Sequence, residues 1–352
     1  MISGLMIVSR IIRAKIAPAI VAILCLSAFL GACNNNKPQS PEEKNPIFQS
    51  APTLKAITAE IAQSPQNAKL FVQRASVLES LKYDSLAFKD YVHATKIDST
   101  NASYYSLVGQ FLFDRKDLDG SVKWFQRALD IDPKDKKSRL KIAKAFLFFH
   151  KYQEGLAQIN IVLRGDVYNP EAYFLKGMIY KESGDTAKAL SNFQTAVQVQ
   201  PTYKDAIVQM GIIYSARKDS IALRYLDNAF AVDSSDVFPI FARGVFYQEN
   251  NDMVRAKEEY RKCILKNRHY VEAYFNMGYI YMQEDSIEKS WRQYDIVVKI
   301  DPRNPTAYFD RGVCYEALDS IKPAIEDYRH ALILDPKYTS PKEALKRLKV
   351  AE

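Results

Sequence analysis

The sequence is poor in the residues that assemble reactive centres. Its four histidines, His93, His150, His269 and His330, are scattered without ligand-like spacing, so no metal centre is legible. There is no nucleophile elbow, Walker loop, dinucleotide fingerprint or His-Glu-x-x-His pair. The carboxylates fall at exposed helical positions, and an enzyme is not expected. Cysteine is equally sparse. Cys25 and Cys33 belong to an N-terminal apolar segment, while Cys263 and Cys314 occupy core-facing positions of two different repeat copies. That placement argues against a disulfide framework and reads both as small buried hydrophobes. Acid is missing from the first 33 residues, which hold Arg10, Arg13 and Lys15; of the formal net charge of +8, only +5 is left for the rest of the chain. So mild an excess, without a focused patch, does not suggest nucleic acid. The apolar run Ile16–Leu30 has about 15 residues, short of the roughly 20 that a spanning helix needs.

What is present is a repeat. Length alone suggests two or three domains, but the stretch Pro170–Tyr203 recurs at a period of 34 residues. With Pro170 as position 1, position 8 is Ala75, Gly109, Ala143, Gly177, Gly211, Gly244, Gly278 and Gly312 in successive copies. Position 20 is small in every copy, as at Ala87, Ser121, Gly155 and Ala189, and position 24 is large, as at Tyr91, Phe125, Phe193 and Tyr260. The copies are 68–101, 102–135, 136–169, 170–203, 204–236, 237–270, 271–304 and 305–338, with a one-residue deletion near Lys218–Asp219 in the fifth. Apolar positions 4, 8 and 11, then 20, 24, 27 and 28, recur at helical spacing around a polar stretch such as Glu182–Asp185. Each copy therefore predicts two amphipathic helices and a tight turn, with the small residues at 8 and 20 letting the helices approach. Proline at position 32 (Pro133, Pro201, Pro302, Pro336) ends the second helix.

This pattern resembles the tetratricopeptide repeat, a 34-residue helix–turn–helix. The resemblance implies an all-α, right-handed α-solenoid of about eight units, in which neighbours complete one another's core and the ends need caps. Leu54, Ile57 and Ile61 mark a capping helix within 47–67. At the other end, Ser340-Pro341-Lys342-Glu343 reads as an N-cap with a capping box opening a final helix in 339–352, with Leu345 and Leu348 facing inward. Arg139, in place of the aromatic at position 4, and Val167, in place of proline, mark the third copy as the irregular one.

Residues 1–32 combine a basic segment, an apolar run and small residues, the pattern of a secretory signal peptide. The ending Leu30-Gly31-Ala32-Cys33 resembles the lipobox of bacterial lipoproteins. The resemblance implies that Cys33 becomes a lipidated N-terminus, with a diacylglyceryl group and an N-acyl chain; no cofactor beyond that lipid is expected. Two or more chains anchor stably where one does not. Residues 33–46 then form the lipidated cysteine and a polar tether. Asn34, rather than aspartate, favours the outer membrane by analogy, with the leaflet left open.

In tetratricopeptide arrays the first helix of each copy lines a concave groove through positions 2, 5, 6, 9, 12 and 13. Here the third copy contributes Lys137, Lys141 and Lys144 on one helical face, with Lys136 beside them. Further along, position 5 is Phe174, Phe241, Phe275 and Phe309, and position 9 includes Met178, Val245 and Tyr279. An aromatic groove suits a helix or extended peptide with hydrophobic anchors, although position 5 is also an inter-helix packing position in the family. The carboxylate clamp of chaperone-binding members needs Lys at 5 and Asn at 9; Val72 with Ser76 and Ser106 with Gln110 do not supply it. The expected function is a membrane-anchored scaffold or adaptor lipoprotein that holds a protein or peptide partner, in cell-envelope assembly or secretion. The alternative is capture of an anionic glycan such as peptidoglycan by the lysine cluster. The oligomeric state is left open.

Overall fold

The computed structural model describes residues 45–350. The signal segment, Cys33 and tether residues 34–44 lie outside the described residues. Among the described residues there are helices and no strands. By its contacts the chain divides into one compact unit ending at Ser99 and a second beginning at Thr100.

The first unit holds α1 (Pro46–Gln49), α2 (Pro52–Gln63), α3 (Ala68–Ser80) and α4 (Asp84–Ile97). Leu54 and Ile61 of α2 are buried, and α2 packs on α3. Inside this unit Arg74 is fully buried. Its guanidinium donates to Asp90 at 2.7 and 2.9 Å and lies 4.4 Å from the ring centroid of Phe48. The short helix α1 thus closes over a buried ion pair with an apolar ring.

The second unit is a run of helix pairs: α5 (Ala102–Asp114) with α6 (Leu118–Ile131), α7 (Lys136–Phe148) with α8 (Tyr152–Gly165), and α9 (Pro170–Glu182) with α10 (Thr186–Val199). It continues with α11 (Lys204–Ala216), α12 (Ile221–Val232), α13 (Phe238–Glu249), α14 (Met253–Lys266), α15 (Val271–Gln283) and α16 (Ile287–Ile300). Then come α17 (Pro305–Ala317), α18 (Ile321–Leu334) and α19 (Thr339–Arg347). Each helix packs on the next, and the partners within a pair pack most closely.

The pairing rests on one contact. A Cβ built on Gly177 would come within 2.6 Å of the Phe193 ring, and one on Gly244 within 2.5 Å of the Tyr260 ring. Gly109 with Phe125, Gly278 with Tyr294 and Gly312 with Tyr328 repeat the arrangement. The large side chain at position 24 lies directly on the backbone at position 8. Position 20 joins from the same side: Ser290 donates its hydroxyl to the Gly278 carbonyl at 2.8 Å.

The turn is equally regular. Position 15 has positive φ in every copy: Lys82, Lys116, His150, Lys218, Asn251, Asp285 and Asp319 lie between 55° and 65°, and Gly184 at 87°. Position 16 then donates its N–H to the carbonyl of position 11, as in Asp185 to Tyr180 and Asp252 to Tyr247, both at 2.8 Å. This is the Schellman closure of a helix C-terminus. In the fifth copy Lys218 and the Asp219–Tyr214 bond keep that closure. The deletion therefore removes the first residue of the second helix rather than a turn residue, and α12 has 12 residues where α10 has 14.

Two sequence expectations are corrected. The third copy is regular, since α7 and α8 have the same lengths as α9 and α10. Arg139 replaces the aromatic by donating to the Pro133 carbonyl at 2.9 Å and to Gln158 at 3.0 Å, stapling the helix to the preceding turn. The final helix starts at Thr339 with Tyr338 as its N-cap and no side-chain cap, so Ser340 lies within the first turn. Leu345 is buried against Ala324 and Tyr328, with Leu348 packed alongside. Cys263 and Cys314 are free and fully buried, and burial pushes their thiols up to about 12 and about 11.

Two outcomes follow from this packing. Gly177→Ala forces the Phe193 ring off the backbone and is expected to lower unfolding stability by about 1–3 kcal/mol, read from the urea midpoint. Asp310, on α17, is half-buried, and burial pushes its carboxyl up to about 7. A carboxyl that ionises later in the folded state than in the unfolded chain favours folding below its unfolded pKa. That contribution is lost as pH rises toward 7. Asp310→Asn should therefore flatten the fall in urea midpoint between about pH 4 and pH 7; an unchanged profile would remove Asp310 as its source.

Candidate interaction groove

The groove-facing residues of the second unit fall into two regions. The first lies between α5 and α7, where a cleft of about 630 Å3 is walled by Ser103, Ser106 and Gln110 on one side and Lys137 and Lys141 on the other. Asp135 begins α7. One of its carboxylate oxygens accepts the N–H groups of Lys137 and Ser138 at 3.0 and 3.2 Å. The other accepts the hydroxyls of Ser138 and Ser106 at 2.6 and 3.0 Å. This acid is consumed as a helix cap.

The lysines are not equivalent. Lys136 pairs with Asp166 at 2.8 Å and leaves the cluster. That ion pair, with Asn169 donating to the same carboxylate, holds Asp166 below the usual carboxylate range. Lys137 is exposed, while Lys141 and Lys144 are half-buried. Their ammonium groups lie 5.3 and 5.8 Å from the ring centroid of Phe113, a contact worth about 0.5–1 kcal/mol each at such a site. Within the second unit Lys137, Lys141 and Lys144 have no carboxylate within ion-pair distance. One ring collects two like charges, and Asp132, Asp135 and Glu171 line the cleft beside it.

The second region belongs to copies six to eight. Phe241, Tyr270, Phe275, Glu272 and Asn276 line a cleft of about 740 Å3. Here the position-5 rings are largely spoken for. Phe241 sits 5.6 Å from Tyr260 and 5.3 Å from Tyr270, and Phe309 5.7 Å from Tyr328 and 5.4 Å from Tyr338, between ring centroids. Phe174 lies between Phe193 and Tyr203 in the same way, and Phe275 packs edge-on against Tyr294. Each of these ring contacts lies within one copy, and the phenylalanines expose only part of their surface. Among the position-9 residues, Met178 and Val245 are half-buried against the core. Tyr279 is 45% exposed and is the freest anchor of the set.

Sequence reasoning missed a third constellation, the ion pairs at positions 7 and 23. Arg311 donates to both oxygens of Asp327 at 2.8 Å and reaches back to Asp295 of the preceding copy at 2.8 Å. Arg243 repeats this with Glu259 and Asp227, and Lys176 reaches Asn160 at 3.3 Å. The signal was an arginine and an acid 16 residues apart. Among the described residues no group of three or more His, Cys, Asp or Glu could hold a metal ion, and no helix is long and apolar enough to cross a membrane.

Tetratricopeptide repeat models match residues 102–135 and 170–203, and a further tetratricopeptide repeat model matches 277–349. Among curated proteins the chain is similar to anaphase-promoting complex subunit 3 of Schizosaccharomyces pombe, with 22% identity over 226 residues. The match takes in 63% of this chain but spans only a third of that relative's length, 33%. Among solved structures, a tetratricopeptide repeat protein from Parabacteroides merdae is similar at 17% identity with a TM-score of 0.52, over 70% of this chain and 98% of that one. PilW, described as a widely conserved type IV pilus biogenesis factor, is similar at 15% identity with a TM-score of 0.51, over 60% of this chain and 98% of that one. At these identities the structures speak to the fold alone. The chain carries tetratricopeptide repeats, recognised in three stretches of its sequence, within an all-α array of paired helices that matches the fold of solved tetratricopeptide proteins.

Proposed function

We infer that this protein is a scaffold or adaptor that holds a protein or peptide partner along the first helices of its second unit. The observation that carries the reading is the division of labour within each copy. Positions 8, 20 and 24 are used up in stacking, while Tyr279 and the cleft beside Phe275 present aromatic surface with polar groups at its edge. Aromatic anchors in preformed clefts are the usual carriers of binding energy, and a rigid stack loses little freedom when it binds.

The cellular setting we propose comes from the N-terminal sequence. Cys33, after the signal-like segment, would carry the lipid and hold the folded body at a membrane through the polar tether, with a role in cell-envelope assembly or secretion. The outer membrane is the compartment this reading favours. The likeness to a pilus biogenesis factor is compatible with it but does not select a pathway.

Two measurements test the proposal separately. Cys33→Ala should move the protein from the membrane to the soluble fraction, and mass spectrometry of the wild type should show a lipid-modified N-terminal cysteine; an unmodified N-terminus would end the anchor reading. Tyr279→Ser should weaken crosslinking to a partner by about tenfold, the loss of one aromatic anchor, with the thermal midpoint unchanged. Phe241→Ala is a poorer probe, because its ring is wedged between Tyr260 and Tyr270 and its loss would destabilise the stack.

A further inference from the structure

The cleft beside Phe275, walled by α15 on one side and by the start of α17 on the other, differs in charge from the rest of the chain. The whole sequence is basic, with a formal net charge of +8. Yet Glu272 and Asp301 line this cleft and, among the described residues, no lysine or arginine does. Glu272 is exposed and has no hydrogen-bond or ion-pair partner among the described residues. Asp301 accepts the backbone N–H of Arg303 at 3.2 Å. Arg268 and Arg303 are exposed in the flanking loops, outside the lining, and Arg243 and Arg311 are held in their own ion pairs. Phe241, Tyr270 and Phe275 add three aromatic rings, and the exposed His269 completes the titratable groups.

Both walls continue beyond the cleft in the same sense. On α15, Glu272, Asn276 and Tyr279 recur at spacings of four and three, and on α17 Thr306 and Asp310 are four apart, so each set shares a stripe. Glu272, Asn276 and Thr306 line the cleft, while Tyr279 and Asp310 stand one turn beyond its lining. Asp310 is half-buried and, among the described residues, has no hydrogen-bond or ion-pair partner. Tyr279 is 45% exposed. Burial pushes the Tyr294 phenol up, and Asp310, Cys314 and Tyr279 add to the effect in that order. The acid and the exposed ring therefore stand near one hydroxyl. A carboxylate withdrawn from water without a partner is destabilised, and a cation beside it offsets that cost.

We propose, resting on the scaffold reading above, that the α15–α17 cleft and the turn beyond it bind an extended basic peptide segment. One cationic side chain lies against the rings of Phe241, Tyr270 and Phe275, between Glu272 and Asp301; the second lies over Tyr279, beside Asp310. Thr306 and Asp310 are about 6 Å apart along the axis of α17. An extended chain sets alternate side chains about 7 Å apart on one side, so two cations separated by one residue span the two points. Arginine suits both, because its flat guanidinium stacks on rings while pairing with carboxylates. Two asparagines decide between a peptide and a bare polyamine. Asn276 donates its amide to the Tyr260 hydroxyl at 3.0 Å, which leaves its oxygen as an acceptor. Asn304 accepts the N–H of Ala307 at 3.0 Å, which leaves its amide as a donor. A peptide backbone uses both, whereas a protonated polyamine has no acceptor for the second.

The test uses the full-length protein and fluorescein-labelled Ser-Arg-Ser-Arg-Ser at pH 8, above the value of about 7 near which Asp310 ionises. Its comparison ligands are Ser-Gln-Ser-Gln-Ser and spermine. The arginine peptide should bind saturably in fluorescence anisotropy and weaken by about tenfold or more in Glu272→Gln/Asp310→Asn. Glu272→Gln alone, at an exposed position outside the packed core, should weaken it by about threefold, which distinguishes lost recognition from a lost fold. Binding should also weaken in Tyr279→Ser and on raising salt to about 0.3 M. Glu258→Gln, which removes an exposed acid from α14, should leave the affinity unchanged and so separates the cleft from net charge. Equal binding of the glutamine peptide, or unchanged affinity in the acid variants, would overturn the proposal. So would spermine binding as tightly as the arginine peptide with the same dependence on Glu272 and Asp310. If the peptide fails while partner crosslinking still depends on Tyr279, the basic-peptide assignment falls and the scaffold reading stands.

Discussion

The contact between the backbone at position 8 and the side chain at position 24 is the constraint on which the stack depends. A ring within about 3 Å of where a Cβ would stand, as at Gly109, Gly177, Gly244, Gly278 and Gly312, fixes the separation of the two helices in each copy. It also fixes their rotation, since the ring must meet the one bare patch of backbone. Once that rotation is set, the side chains that face the neighbouring helices and those left at the surface, such as Lys137 and Tyr279, are set with it. The left-handed residue at position 15 serves the same end. It turns the chain through a Schellman closure of 2.8–3.0 Å at the point where the second helix can return onto that bare patch. Seven of the eight copies accept a non-glycine residue there, at a local cost of about 1–2 kcal/mol each, which shows how firmly the surrounding bonds hold the turn.

The fifth copy shows which part of the design is rigid. A residue has been lost, yet Lys218 keeps its positive φ and Asp219 still donates to Tyr214. The side chain of Asp219 accepts the N–H of Ile221 at 2.9 Å, much as Asp185 accepts that of Lys188 at 3.0 Å in the fourth copy. The loss is absorbed at the start of α12, and Leu226 still reaches Gly211. A helix start can be shortened by one residue because a side chain can cap it from either place. The turn cannot, because its bonds are counted from the end of the first helix.

The repeat was legible in the sequence because its signals are sizes at fixed spacing: glycine or alanine at 8, a large residue at 24, proline at 32. The residues that tie one copy to the next were harder to see. Arg74, Arg243 and Arg311 occupy position 7 in copies one, six and eight, whereas Val108, Ile142, Met210 and Met277 stand there in copies two, three, five and seven. A reading keyed to constant positions passes over a site that alternates between an ion pair and an apolar contact. The position-5 phenylalanines were found, but their packing between rings at 24 and 34 depends on distances that spacing does not carry. Lys136 looked like part of the lysine cluster because Asp166, its partner, is 30 residues away. The opening of α19 was misplaced by reading Ser340 as a cap, when the chain enters that helix from Tyr338 as it enters α11 from Tyr203.

The variable positions also show how one stack can carry two surfaces of different character. At copies two and three the first helices offer Ser106, Gln110, Lys141 and Lys144, a wall of donors over a single ring. At copies six to eight they offer Phe275, Asn276 and Tyr279, with Glu272 at the edge. The two regions differ in apolar content, yet both are built on the same backbone contact. The ring at 24 holds position 8 from inside the pair, and exposed side chains such as Lys137 and Tyr279 lie outside that contact. Selection on ligand chemistry and selection on folding therefore act on different residues of the same helix.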